Sequence, residues 1–394
     1  MRVLQVLTYY RPHTSGLTIY VERLSRALAA QGHEVTVLTS QYERTLPRVE
    51  LGSGVRVIRV PVAARLSKGV LMPGFGLAAT REVRQHQVVH LHLPQFDAAG
   101  VALRGRLLGR PTVITYHCDL TLPRGAFNRV VNAVVHVMNH AAAALADRIV
   151  TYTRDYADSS PYLNRHRQKL DIILPPVELP RASDAAVRSC AERFNPEQHR
   201  PVIGMATRLA AEKGVEVLLE ALPMVTRSHP DATVLFAGQH RDVLGEERYR
   251  QRLAAAIEPL RAAGRWRFVG VLDQAEMAAF YAHLDVLVVP SLNATESFGL
   301  VQIEAMMHGV PVVSSNLPGV RQPVQLTGMG RVARVGSADS LAEELLEVLN
   351  RPERYRGDPA EVASRFTPAV TASAYVDLYR RLRGGRASRP AHRR

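Results

Sequence analysis

Two hydrophobic periods alternate along residues 3–39. Val3-Leu4-Gln5-Val6-Leu7 is a near-continuous apolar run of strand length. A polar loop with Pro12, Ser15 and Gly16 follows. Ile19, Val21, Leu24 and Leu28 then recur at helical spacing until Gly32 stops the helix. Val35-Thr36-Val37-Leu38-Thr39 is the next strand and completes a βαβ unit. Strands apolar on both faces and separated by helices predict a parallel sheet covered on both sides. Strand-length runs at Val55–Val60, Val88–Leu93, Thr112–Tyr116, Arg148–Thr153 and Leu170–Leu174 extend the pattern.

Leu174-Pro175-Pro176-Val177-Glu178-Leu179-Pro180 interrupts it with three prolines, which fix their own dihedrals and extend their predecessors, so a linker is predicted here. The alternation then restarts at Val202–Ala206, Thr233–Ala237, Trp266–Val269, Val286–Val289 and Pro311–Ser315. The predicted fold class is α/β: two Rossmann-like domains, residues 1–176 and 177–366, facing each other across a ligand cleft. Residues 367–382 read as a helix that packs back on the first domain, and residues 383–394 as a basic disordered tail.

Composition narrows the class. Of 394 residues, 46% are hydrophobic and 22% charged, a core-forming profile. The longest uncharged run, 130–146, holds Asn132, His136, Asn139 and His140 and is too short and polar for a membrane span. MRVLQVLTYY lacks the apolar length of a signal peptide. Cys118 and Cys190 make neither a disulfide framework nor a CxxC zinc site, so the expected location is cytoplasmic. The formal net charge is +14. Residues 1–180 hold 22 Lys and Arg against 12 Asp and Glu; residues 181–379 hold 21 against 24. A basic first half points to an anionic partner, with an arginine-rich composition as the plain alternative.

The chemistry concentrates in the second half. Gly204-Met205-Ala206-Thr207-Arg208 follows a strand, and Glu212-Lys213-Gly214 opens a helix. Unpaired amides at a helix start beside Arg208 and Lys213 suit a diphosphate. Further on stand Pro290-Ser291, the run Glu296-Ser297-Phe298-Gly299-Leu300-Val301-Gln302-Ile303-Glu304-Ala305-Met306, and Gly309-Val310-Pro311-Val312-Val313.

Together these runs resemble the retaining glycosyltransferases of family 4, bacterial type, which have the GT-B fold. Gly32-His33-Glu34-Val35-Thr36-Val37-Leu38 and Thr115-Tyr116-His117 are similar to that family's opening unit and its active-site histidine strand. One departure is Ser15, where the family usually has the first of two glycines. The resemblance implies a metal-independent hexosyltransferase with a nucleotide diphosphate sugar, UDP- or GDP-linked, as donor substrate and no other cofactor. It implies that Arg208 and Lys213 bind the donor diphosphate, Glu304 the ribose and Glu296 the donor sugar. The amides around Phe298, Gly299 and Leu300 would serve the distal phosphate, Gly16 would close the donor site, and His117 would contact the transferred sugar. Backbone around Val271 and Leu272 would meet the nucleobase.

Competing readings are weaker. On one continuous helix Glu296 and Glu304 would stand about 12 Å apart at 1.5 Å per residue, beyond the roughly 5–9.5 Å of glycosidase carboxylate pairs. His90 and His92 share a strand face with His117 nearby, but no fourth metal ligand suggests itself. A nucleotide-sugar epimerase of the same fold is one alternative. A basic nucleic-acid-binding protein is another, although aromatics are only 6% where base stacking would need them, so nucleic acid is not an expected partner. No GxGxxG follows the first strand, against a dehydrogenase.

The acceptor is expected to be a sugar or a lipid-linked molecule, the latter at an anionic membrane face. Arg65 and Lys68 precede an apolar stretch to Phe75, and Arg124 and Arg129 flank Phe127 before Val130 and Val131. Basic residues beside apolar ones suit a headgroup boundary, which would place the protein peripherally on the inner face of the plasma membrane.

Overall fold

The computed structural model describes residues 1–66, 69–119 and 126–387. Two compact units form: Met1–Pro176 with Phe366–Arg394, and Val177–Arg365.

In the first unit the strands are β1 (Arg2–Val6), β2 (Glu34–Gln41), β3 (Val49–Gly52), β4 (Val55–Pro61), β5 (Ala64–Leu66), β6 (Gly69–Leu71), β7 (Val88–Leu93), β8 (Thr112–Tyr116), β9 (Arg148–Thr151) and β10 (Leu170–Ile172). Eight of them make one sheet in the order β10-β9-β8-β7-β1-β2-β4-β3, while β5 and β6 pair as a separate hairpin. The core strands are parallel and buried on both faces, with Leu4, Val6, Val89, Leu91, Ile114 and Ile149 in one apolar cluster. The antiparallel edge strand β3 was not expected. Its four residues are all exposed, so it carries no burial periodicity to read.

The second unit has β11 (Val202–Ala206), β12 (Thr233–Ala237), β13 (Trp266–Gly270), β14 (Val286–Val289), β15 (Val312–Ser315) and β16 (Gly330–Ala333), all parallel in the order β13-β12-β11-β14-β15-β16. The chain leaves β11 towards β12 and later returns to its other side at β14. The carboxyl ends of β11 and β14 therefore flank a topological switch point, where open parallel sheets bind ligands.

The last helix, Pro368–Ala387, belongs to the first unit. Its Tyr375 hydroxyl lies 2.7 Å from that of Tyr20, and Thr371 Oγ1 donates to the Leu174 carbonyl. The helix does not end at Leu382 but continues through Gly384 and Gly385. A glycine pair weakens a helix without removing an amide donor, and the first residue that would do so is Pro390. Residues 388–394, the rest of the expected tail, lie outside the described residues. Among the described residues no helix is long and apolar enough to cross a membrane.

Candidate active site

The loop after β11 is clamped from two sides. Thr207 N–H donates to the Ala237 carbonyl and Leu209 N–H to that of Gln239. Gly238, at φ +131°, lies so close that a Cβ there would sit 2.0 Å from the Thr207 carbonyl oxygen. The chain next makes one 3₁₀ turn, Ala211–Lys213, and Gly214 at φ +67° starts the helix Val215–Ser228. Lys213 therefore stands in the turn before the helix rather than within it. A Cβ on Gly214 would lie 2.1 Å from the Pro290 carbonyl oxygen, and Leu292 N–H donates to the Glu212 carbonyl at 2.9 Å. The loops after β11 and β14 are thus locked together at the switch point.

That lock brings two charges into contact. Lys213 Nζ donates to Glu296 Oε2 at 2.5 Å, with the lysine side chain 15% exposed. Arg208, half exposed, pairs with Glu212 at 3.1 Å. Glu296 is held in its loop by the turn at Asn293, whose Oδ1 accepts from Thr295 N–H and Oγ1 at 3.1 and 2.6 Å. The helix begins only at Leu300 and ends at Met306, so the continuous-helix geometry for the two glutamates does not hold. The left-handed Gly299 (φ +78°) breaks it, and a Cβ there would meet Gln302 Nε2 at 2.7 Å. Gln302 Nε2 donates to the carbonyls of Phe298, itself buried, and Val320, both at 2.8 Å. Gly299, as the cap residue, has no side chain to cover the amides that Leu300 opens. Glu304, 8% exposed, accepts from the Tyr281 hydroxyl at 3.0 Å.

Val271 and Leu272 leave the carboxyl end of β13, two strands from β11. Val271 is 70% exposed, and Asp273 caps the helix that follows.

Two expected residues belong to the first unit. Gly16 is the first residue of the helix Gly16–Ala30; Ser15 caps it by accepting from Thr18 N–H. A Cβ on Gly16 would meet nothing within 4 Å, so the chain's own packing does not require glycine there. His117 follows β8 and is 6% exposed. Its Nε2 lies 3.0 Å from His92 Nδ1, its Nδ1 takes the Tyr152 hydroxyl, and the Tyr20 ring packs edge-on against it. Burial pulls its pKa from 6.5 down to about 3, which keeps the imidazole neutral. His90, bonded to Thr115 Oγ1 and the Tyr379 hydroxyl at 2.6 and 2.7 Å, is likewise pulled to about 3 by burial.

Tyr281 and Tyr152 escaped the sequence reading, because each acts from a neighbouring element and nothing local marks its partner. The local bonds of Asn293 and Gln302 were not read either, although Gln302 stands in the quoted run. The tight glycine Gly214 was visible in Glu212-Lys213-Gly214.

Residues 191–361 match the family Glycosyl transferases group 1, and residues 15–175 match the Glycosyl transferase 4-like domain. The chain is 27% identical over 390 residues to a phosphatidyl-myo-inositol mannosyltransferase of Mycobacterium leprae, covering 96% of both chains. It is 28% identical over 358 residues to a 2-deoxystreptamine glucosyltransferase of Streptomyces kanamyceticus, covering 85% of this chain and 90% of the other. The crystal structure of Anabaena Alr3699/HepE in complex with UDP superposes with a TM-score of 0.75 at 17% identity, over 97% of this chain and 100% of that one, and shares the fold. Fold and matches define a nucleotide-sugar-dependent glycosyltransferase. The chain belongs to family 4, the retaining hexosyltransferases of GT-B fold.

Proposed function

We propose that this protein transfers a hexosyl group from a UDP- or GDP-linked sugar to a hydroxyl of a lipid-linked acceptor. The observation that carries the donor half is the Lys213–Glu296 contact at the β11/β14 switch point, beside Arg208 and near the tight turn at Gly299. In this reading Arg208 and Lys213 hold the diphosphate, with the amides around Phe298, Gly299 and Leu300 on its distal phosphate. Glu304, oriented by Tyr281, accepts the ribose hydroxyls. Glu296 binds donor-sugar hydroxyls, backbone at Val271 and Leu272 meets the base, and Gly16 and His117 take the donor phosphate and the transferred sugar.

Retention with an oxocarbenium-like transition state needs charge stabilisation on the departing diphosphate more than it needs a protein nucleophile. Arg208 and Lys213 supply donors whose contacts strengthen as that charge develops. Both cations are already matched by carboxylates, Glu212 and Glu296. The incoming diphosphate competes with these carboxylates for the two cations, and the amides around Gly299 take up part of its added negative charge.

The lipid-linked acceptor rests on two observations. One is the basic balance of residues 1–180. The other is the helix Ala126–Leu145, which exposes Val134 and Val137, the latter to 62%, and carries an exposed Arg129. The segment from Arg65 contributes less than expected: Met72 and Phe75 are core residues, and Arg65 donates to the Tyr42 carbonyl. Ser67, Lys68, Arg124 and Gly125 lie outside the described residues. A thermal-shift panel of UDP, GDP and ADP sugars tests the donor half: a UDP or GDP sugar should raise the melting temperature, and stabilisation by the ADP sugar alone would contradict it.

A further inference from the structure

A layer of polar side chains lies buried on one face of the first sheet. Gln5 on β1, His90 and His92 on β7, Thr115 on β8 and His117 after it are each at most 6% exposed. Tyr20, Tyr152, Tyr375 and Tyr379 pack against them. The other face of β7 presents Val89, Leu91 and Leu93 to an ordinary apolar core. Filling a core with matched polar groups gains little over apolar ones of the same shape, so packing alone does not account for three imidazoles here.

We infer that Gln5 and His92 are positioning residues for His117: the chain Gln5–His92–His117–Tyr152 fixes that imidazole in one tautomer, protonated on Nε2 and bare at Nδ1. This rests on the reading that His117 contacts the transferred sugar. The direction of the chain follows from its end. With the Gln5 amide turned so that Oε1 faces His92 Nε2 at 2.7 Å, His92 Nε2 carries the proton, because an amide oxygen only accepts; the opposite turn of the amide would reverse the chain, and the tautomer measured below distinguishes the two. A neutral imidazole has one proton, so His92 Nδ1 is bare and must accept. Its partner at 3.0 Å is His117 Nε2, which therefore donates. That leaves His117 Nδ1 bare, and the Tyr152 hydroxyl donates to it. Burial holds both rings neutral, His117 to about 3 and His92 well below its usual value.

The consequence is chemical. A ring held on both nitrogens neither rotates nor takes up a proton, so no imidazolium faces the positive charge that develops on the sugar. The last helix buttresses the arrangement from behind. The Tyr375 hydroxyl is 2.6 Å from Thr115 Oγ1 and 2.7 Å from the hydroxyl of Tyr20, whose ring lies edge-on to His117.

The test is the tautomer itself. The full chain is labelled with ¹³C,¹⁵N-histidine, long-range ¹H–¹⁵N spectra are recorded at pH 7, and His117→Asn assigns the His117 signals. The expected result is a neutral, Nε2-protonated His117. A predominant Nδ1-protonated or charged ring overturns the inference. His92→Leu should blur the tautomer and lower kcat about tenfold or more, wrong-tautomer losses in other enzymes being larger still, with KM for the nucleotide sugar little changed. His92→Asn, whose carboxamide oxygen replaces the Nδ1 lone pair, should restore part of both. Gln5→Leu is the second variant if His92→Leu does not fold, with the same expected direction. A merely structural role would lower the melting temperature in the Leu and Asn variants alike and leave the tautomer unmoved, which also overturns the inference. Failure of the sugar-contact reading is distinguishable: His117→Asn would keep full turnover while the wild-type spectrum still showed the Nε2–H form.

Discussion

The Lys213 ammonium and the Glu296 carboxylate meet at 2.5 Å across 83 residues of chain. A largely buried ion pair is weak evidence for stability, because desolvation offsets much of the attraction. Its position at the β11/β14 switch point gives it another meaning. It holds a largely buried cation in place where we propose that the diphosphate binds.

The first prediction concerns the scaffold of that cation. Gly214→Ala adds a Cβ where 2.1 Å separates it from the Pro290 carbonyl oxygen, in a left-handed backbone. One loop must retreat from the other. The second unit should lose about 1–3 kcal/mol of stability, and nucleotide affinity should fall with it. Unchanged melting and unchanged nucleotide binding would show that the two loops are not locked.

The glutamates should separate by assay. Glu304→Gln replaces a carboxylate that can accept two ribose hydroxyls by an amide with one acceptor oxygen, so calorimetry should show weaker UDP or GDP binding. Tyr281→Phe should shift affinity the same way by a smaller amount, since it removes only the hydroxyl at 3.0 Å. Glu296→Gln should lower turnover while the nucleoside diphosphate still binds, because Lys213 keeps its charge. Affinity lost in Glu296→Gln and kept in Glu304→Gln would reverse the roles.

Acid should destabilise the first unit. Burial holds His90 and His117 at about 3 and His92 well below 6.5. The unfolded chain takes up protons below about 6.5, whereas native His90 and His117 do not until about 3 and native His92 only well below 6.5. Stability is therefore complete above 6.5 and declines as pH falls through that window, by up to about 1.4 kcal/mol per pH unit for each histidine. Urea unfolding at pH 7.5 and 5 measures this. His90→Gln should flatten the dependence, and equal stability at both pH values would contradict buried neutral rings.

Membrane attachment should be reversible and salt-sensitive. Exposed basic side chains such as Arg129 would contribute about 1 kcal/mol each near an anionic surface. Sedimentation should show binding to anionic but not neutral liposomes, abolished by salt and weakened by Arg129→Glu or Val137→Asp, both at exposed positions. No sedimentation with anionic liposomes at low salt would point to a soluble acceptor.

Most of the fold was readable because buried parallel strands announce themselves as unbroken apolar runs; Val88–Leu93 is buried at every position. The exposed strand Val49–Gly52 and the edge strand Gly330–Ala333, interrupted by Arg331, carry no such signal. The residues proposed for the donor site stood out as motifs, but their geometry did not. That Glu296 leaves the helix and turns to Lys213 depends on Gly299 and on the Asn293 turn, which act through backbone conformation. His92 was legible as a neighbour of His117, but nothing near His117 pointed to Gln5 or Tyr152, since sheet order and not chain order brings them there.

Arg208 and Lys213 carry the proposed stabilisation of the leaving diphosphate. Release of nucleoside diphosphate from UDP- and GDP-hexoses is measured with a membrane-lipid extract as acceptor, for the wild type, Arg208→Ala and Lys213→Ala, with folding checked by circular dichroism. Loss of a donor to the departing charge costs about 2.7–4 kcal/mol, so turnover should fall about a hundredfold or more in each variant with the fold intact. Turnover near the wild-type level in both would contradict the assignment of this site to the leaving diphosphate.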